Sequence, residues 1–215
     1  MLELTNADWS LGERPSIRAD SGMVAAAQPL AANAGDEVLR RGGNAFDAVA
    51  AAAVTLNVVE PFMSGLAGAG AATFLRAGTG EVACIDFVPP APTGLKPMEM
   101  DGAVAMTGPL TSCPPEYLAG WYELQNRYDK LSFPDILQSL ICLTSDGYPI
   151  SKFFVAETVG QKDRIKDPEW RRVFEPDRGW KPRDILKLHD LAGTLENIAK
   201  QGIGYLYADR DNETA

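Results

Sequence analysis

Apolar positions along the chain fall into short groups, each closed by glycine, proline or a capping residue. GMVAAA, residues 22–27, reads as a short buried strand. Pro29 then stands where a first helical turn tolerates it, AANAGDEVLRR continues the helix, and Gly42-Gly43 ends it. Asn44, with Asp47 three residues on, makes a capping-box arrangement for a second helix over about 45–58, which Glu60-Pro61 stops. Alanines 45, 48 and 50–53 leave that helix apolar all round with little bulk on it. Such a helix is buried on several sides and lets a neighbouring backbone come close, so tight packing against a sheet is expected.

AATFLRA and EVACIDFV read as two strands joined at Gly78-Thr79-Gly80, a hairpin. PPAPTGLKPMEMDGA is an irregular excursion. The second half is mostly helical. Leu118, Trp121, Leu124 and Tyr128 share one stripe, and Ile136, Leu137, Leu140, Ile141 and Leu143 share a broad face that ends at Gly147. Ser151 caps SKFFVAETVG, Asp167-Pro168 opens PEWRRVF, and DLAGTLENIAKQG closes at Gly202. The element order is strand, two helices, hairpin, then helices: an α+β chain without internal repeats.

Composition narrows the classes. The 215 residues suit one domain or a large piece of one, and are 46% hydrophobic and 23% charged. A net charge of −9, from 20 basic and 29 acidic residues, argues against nucleic-acid or anionic-lipid partners. The start, MLELTNADWSLGERP, has neither the basic nor the apolar region of a signal peptide, and no stretch has the length to span a bilayer, so a cytoplasmic location is expected. Cys84, Cys113 and Cys142 are odd in number and lie in apolar settings, which does not build a disulfide framework. His189 is the sole histidine and has no partner at ligand spacing, so neither a metal site nor a cofactor is expected. Gly65, Gly68 and Gly70 form a close-approach segment without the spacing of a nucleotide loop. A Cys113–His189 nucleophile pair and an Asp86–Glu116 carboxylate pair have no support from spacing.

Six collinear blocks resemble the large subunit of the γ-glutamyltranspeptidase family, the glutathione hydrolases and their amidohydrolase relatives. They are residues 22–61, with GGNAFDA ahead of the alanine helix; SGLAGAGAATFL; IDFVPPAP; TGPLTSCPPEYLAGWYEL; KLSFPDILQSLICLTSDGYPIS; and FEPDRGWKPRDILKLHDLAGTLENIAKQGIGYLY. The resemblance divides the chain into an extension over 1–21, the large-subunit part over 22–207 and a truncated end over 208–215. It implies part of a four-layer αββα N-terminal-nucleophile hydrolase sandwich. It also implies a partner, the small subunit, whose new N-terminal threonine attacks an amide or γ-glutamyl carbonyl. Neither late threonine, Thr194 or Thr214, opens a matching motif, so no catalytic residue is expected in these 215 residues. A non-catalytic remnant that only binds or scaffolds is the alternative.

The substrate-binding positions implied are Asp86, Phe87 and Val88. In glutathione-processing members the triplet is DFR-like, and its arginine grips the α-carboxylate of the γ-glutamyl group. Valine at 88 offers neither charge nor hydrogen bond, which shifts the expectation toward an amide substrate without that carboxylate, as in the oxamate amidohydrolase-like and cephalosporin acylase-like relatives. Another arginine, such as Arg76, could compensate from nearby. Pro115 and Asp209 stand where the family's VPG and FYxG motifs have glycine.

Overall fold

The computed structural model describes residues 16–91, Ser112 and residues 114–207. Among the described residues, seven α-helices and two two-stranded sheets form the regular structure. In chain order these are α1 (Pro29–Arg40), α2 (Ala45–Val59), β1 (Ala71–Arg76), β2 (Glu81–Asp86), α3 (Tyr117–Tyr128), α4 (Phe133–Asp146), β3 (Tyr148–Pro149), α5 (Lys152–Gln161), α6 (Pro168–Phe174), β4 (Ile185–Leu186) and α7 (His189–Gln201). A 3₁₀ turn, Ile203–Leu206, follows. Among the described residues no helix is long and apolar enough to cross a membrane.

Local chemistry sets the boundaries. Asn44 Oδ1 accepts from the Phe46 and Asp47 amides at 2.8 and 3.1 Å, and Asp47 Oδ2 accepts from the Asn44 amide at 2.9 Å, a complete capping box. Ser151 Oγ accepts from the Phe154 amide at 3.0 Å, and Asp167 Oδ1 from the Trp170 amide at 2.9 Å. The expected stops at Gly42, Gly147 and Gly202 all carry positive φ, the conformation that favours glycine.

The core is a helical bundle built around α2. Ala50, Ala51, Val54 and Val58 are buried, and they pack in one cluster with Val38 of α1, Leu118 and Leu124 of α3, and Ile136, Leu137 and Leu140 of α4. Each fully buried aliphatic side chain of this size contributes roughly 1.5–3 kcal/mol relative to exposure. α1 crosses α2 closely: a Cβ on Gly35 would lie 2.8 Å from the Ala48 carbonyl. The small side chains therefore serve helix-on-helix packing. The expectation of a sheet beneath α2 is corrected to this extent; Phe46 at its start meets the hairpin, edge-on to Phe74 at 5.2 Å. α7 adds Leu195 and Ile198 to the core alongside α4.

A second correction concerns residues 22–27, which are not a buried strand. They run without strand pairing into α1, and all but the half-buried Val24 are exposed. Apolar composition alone cannot make a strand when no neighbouring strand takes its amides. The β1–β2 hairpin forms as expected, from Ala71 opposite Asp86 to Arg76 opposite Glu81. Its inner face carries Phe74 and Ile85; its outer face shows Leu75 and Val82, directly opposite each other and 64% and 69% exposed. The short β3–β4 pair carries no readable period. It is fixed instead by Tyr148, which is buried and whose hydroxyl donates to the Val58 carbonyl at 2.7 Å. Burial holds the Tyr148 phenol well above its ordinary pKa. Most of the 89–103 excursion, Cys113 and Asp209 lie outside the described residues.

Candidate functional site

The hairpin ends on the triplet Asp86-Phe87-Val88. Pairing continues one step past the strand, because the Phe87 amide donates to the Gly70 carbonyl at 2.9 Å. The chain then turns sharply: Asp86 Oδ1 accepts from the Val88 amide at 3.0 Å, a side-chain-closed turn. Phe87 points inward and is buried, while Asp86 and Val88 are exposed, Val88 by 62%.

Phe87 fixes the turn. Its ring meets Tyr117 edge-on at 5.7 Å and Trp121 at 5.5 Å, an arrangement favoured by the aromatic quadrupole. Two glycines make the slot. A Cβ on Gly120 would fall 2.1 Å from Phe87 Cγ, and one on Gly70 would fall 2.5 Å from its Cε2. The Tyr117 amide donates to the Gly68 carbonyl at 3.0 Å, tying the glycine-rich segment to the start of α3. The Tyr207 hydroxyl donates to the Pro115 carbonyl just before that helix. The result is a rigid plinth that holds position 88 at the surface. The indole Nε1 of Trp121 is buried here without a hydrogen-bond partner among the described residues.

Arg76 does not join the triplet. It pairs with Glu81 at 2.8 Å and lies 5.4 Å over the Tyr128 ring, at the turn end of the hairpin. Ala71 opposite Asp86 marks the other end. Five residues of strand separate the two ends, about 17 Å at the usual rise. Glu116, in the αR conformation before α3, shares no hydrogen bond with Asp86 in the described contacts. His189 is exposed at the first turn of α7, and Cys84 and Cys142 are exposed free thiols. Among the described residues, none of these three side chains is hydrogen-bonded to another as a nucleophile and base would be, and no group of His, Cys, Asp and Glu could hold a metal ion. Gly70 was read in the sequence as a close-approach residue, but the clamp residues Tyr117 and Gly120 escape sequence reasoning. Their only trace is the i, i+4 spacing of Tyr117 and Trp121 around a glycine.

These features define an α+β scaffold that presents a short, rigidly anchored turn. Comparison with known proteins supplies the class. A family model for gamma-glutamyltranspeptidase matches residues 31–210, and the chain belongs to that family. It is 31% identical over 202 residues to the glutathione hydrolase proenzyme of Bacillus subtilis (strain 168), covering 90% of this chain and 34% of that protein. It is 30% identical over 224 residues to the acylase ACY 1 proenzyme of Pseudomonas sp. (strain SE83), covering 95% of this chain and 39% of that protein. Among solved structures, Helicobacter pylori gamma-glutamyltranspeptidase superposes with a TM-score of 0.83 at 28% identity, covering 90% of this chain and 58% of the other. Cephalosporin acylase from Bacillus halodurans gives 0.79 at 28% identity, covering 96% and 40%. The chain thus spans little more than a third of the length of these two curated relatives.

Proposed function

We propose that residues 22–207 form the large-subunit part of an amide- or γ-glutamyl-cleaving enzyme, within the family's four-layer αββα sandwich. In this reading an N-terminal threonine outside these 215 residues attacks the substrate carbonyl, its α-amine takes the proton, and an acyl-enzyme passes to water or an amine. A free α-amine titrates near pH 8 and can serve as base at neutral pH. The glutathione hydrolase and acylase relatives carry the name proenzyme, which supports a chain completed by a second segment. The open outer face of the hairpin supports it too, since Leu75 and Val82 would be covered by such a segment. The substrate is a small molecule, and no cofactor enters the chemistry.

One observation carries the substrate reading. The surface position at the end of the hairpin is Val88, and Arg76, the arginine considered as a substitute, is paired at the opposite end. Asp86, Phe87 and Val88 then form one wall of an acyl site that does not grip an α-carboxylate. A charge-assisted contact of that kind is worth about 1.5–3 kcal/mol, so its loss weakens γ-glutamyl recognition by about 10- to 150-fold. The test compares kcat/KM for a γ-glutamyl anilide and a simple acyl anilide, in the protein completed by its threonine-bearing segment. The simple acyl anilide should be used at least as well, and Val88→Arg should raise γ-glutamyl turnover at least tenfold. A strong γ-glutamyl preference in the unmodified protein would refute the reading.

A further inference from the structure

The α5–α6 region contributes little to the bundle. Phe154 is the one fully buried side chain of α5, and α6 has none. Yet the two helices and the following loop enclose space. A cavity of about 470 Å³ lies between Val155 and Val159 of α5, Phe174 at the end of α6, and Trp180. A smaller apolar cavity of about 240 Å³ adjoins it across Thr158 and Phe174, and reaches Phe62 and Trp170. The larger volume falls in the range that holds small-molecule ligands.

The larger cavity is also lined by charged groups, Lys162, Arg171, Glu175 and Asp177. Lys162 Nζ lies 2.6 Å from Glu175 Oε1, and Arg171 Nε lies 3.7 Å from Glu175 Oε2. Glu175 thereby holds two cations side by side. It also feels Lys166, and together these keep its carboxyl below the usual range. One lysine contact leaves two ammonium hydrogens, and a guanidinium at 3.7 Å from its carboxylate leaves its donors unspent. The Trp180 indole is already committed, donating to the Phe174 carbonyl at 2.8 Å, which fixes its ring as a wall. The competing carboxylates, Asp163 and Asp177, are exposed, where water screens them.

We propose that this cavity is a binding site for a small amphiphilic carboxylate: an aromatic or short aliphatic acid with its head at Lys162 and Arg171 and its body against Val155, Val159, Phe174 and Trp180. The site is separate from the Asp86–Phe87–Val88 turn and does not depend on the acyl-transfer reading. Neutral and cationic analogues fill the same volume but give Lys162 and Arg171 no anionic partner beyond Glu175.

The experiment uses phenylacetate, phenylacetamide and phenethylamine as probes, with the protein labelled with fluorotryptophan and the Trp180 resonance assigned through Trp180→Phe. Phenylacetate should shift that resonance and bind about tenfold more tightly than the amide, with the amine weakest. Lys162→Gln and Arg171→Gln, both at exposed side chains, should each erase most of that preference while leaving thermal unfolding unchanged. No response of the Trp180 signal at about 10 mM phenylacetate, beyond the millimolar affinity expected of a small fragment, would overturn the proposal. Equal or tighter binding of the amide or amine would overturn it as well.

Discussion

Replacing Asp47 tests the packing logic of the whole bundle. The residue is 0% exposed, at the third position of α2. Its carboxylate accepts from the Asn44 amide at 2.9 Å, from the Lys130 amide at 3.1 Å and from Gln125 Nε2 at 3.2 Å. It therefore joins the α1–α2 corner to the α3–α4 corner. Asp47→Ala leaves Gln125 its second acceptor, the Leu131 carbonyl, but strands two backbone N–H groups. Each orphaned donor costs about 1–3 kcal/mol, so the two together cost about 2–6 kcal/mol; about 3 is expected, because Lys130 is exposed and water reaches its amide. A favourable charge at the start of a helix would alone be worth under about 1 kcal/mol. Size therefore decides between a cross-link and a dipole effect. The assay is urea unfolding followed by far-ultraviolet circular dichroism. With a slope of about 2 kcal/mol per molar, the midpoint should fall by about 1.5 M. Asp47→Asn should fall between, because one amide oxygen still accepts while the NH₂ confronts a donor. A midpoint shift below about 0.4 M for Asp47→Ala, the dipole-sized effect at that slope, would refute the reasoning.

Other consequences follow from the same contacts. Burial raises the Glu60 carboxyl above its ordinary value of 4.5, so its contribution to stability is fully present below that pH and fades as pH rises through the raised value. Glu60→Gln should therefore match the parent in acid and gain on it toward neutrality in a pH series of thermal melts; a pH-independent difference would contradict this. Gly120→Ala should displace Phe87 and cost about 1–3 kcal/mol by overpacking, read from thermal or urea unfolding, because the new methyl would fall 2.1 Å from the ring. Leu75→Glu with Val82→Lys places opposite charges across the hairpin's outer face and should reduce self-association of the chain in size-exclusion chromatography; an unchanged elution profile would show that this face is not the sticky one.

Several helix boundaries are legible because they rest on a local device. Asn44 with Asp47, Ser151, and Asp167-Pro168 announce themselves within three or four residues, and so do the terminating glycines. Residues 22–27 were misread because a strand is made by its neighbour, which a six-residue apolar run does not reveal. The alanines of α2 announced close approach but not what would approach, and the structure supplies helices. The β3–β4 pair is too short for any period, and its anchor, the Tyr148 hydroxyl on the Val58 carbonyl, spans 90 residues. At the candidate site, the triplet itself was visible only through its likeness to a family motif. Of the slot around Phe87, only the close-approach glycine Gly70 and the Tyr117–Trp121 spacing left a trace. The slot joins Gly70 to Gly120 and Tyr117, and such long-range steric fits leave little local pattern.

The central claim is that this chain carries the scaffold and one wall of an acyl site, while the attacking group comes from elsewhere. Turnover by the purified 215-residue chain, offered a γ-glutamyl anilide and simple acyl anilides, tests this most directly. The account predicts no release of aniline above the uncatalysed rate from either substrate class. Sustained turnover that co-purifies with the chain would contradict it.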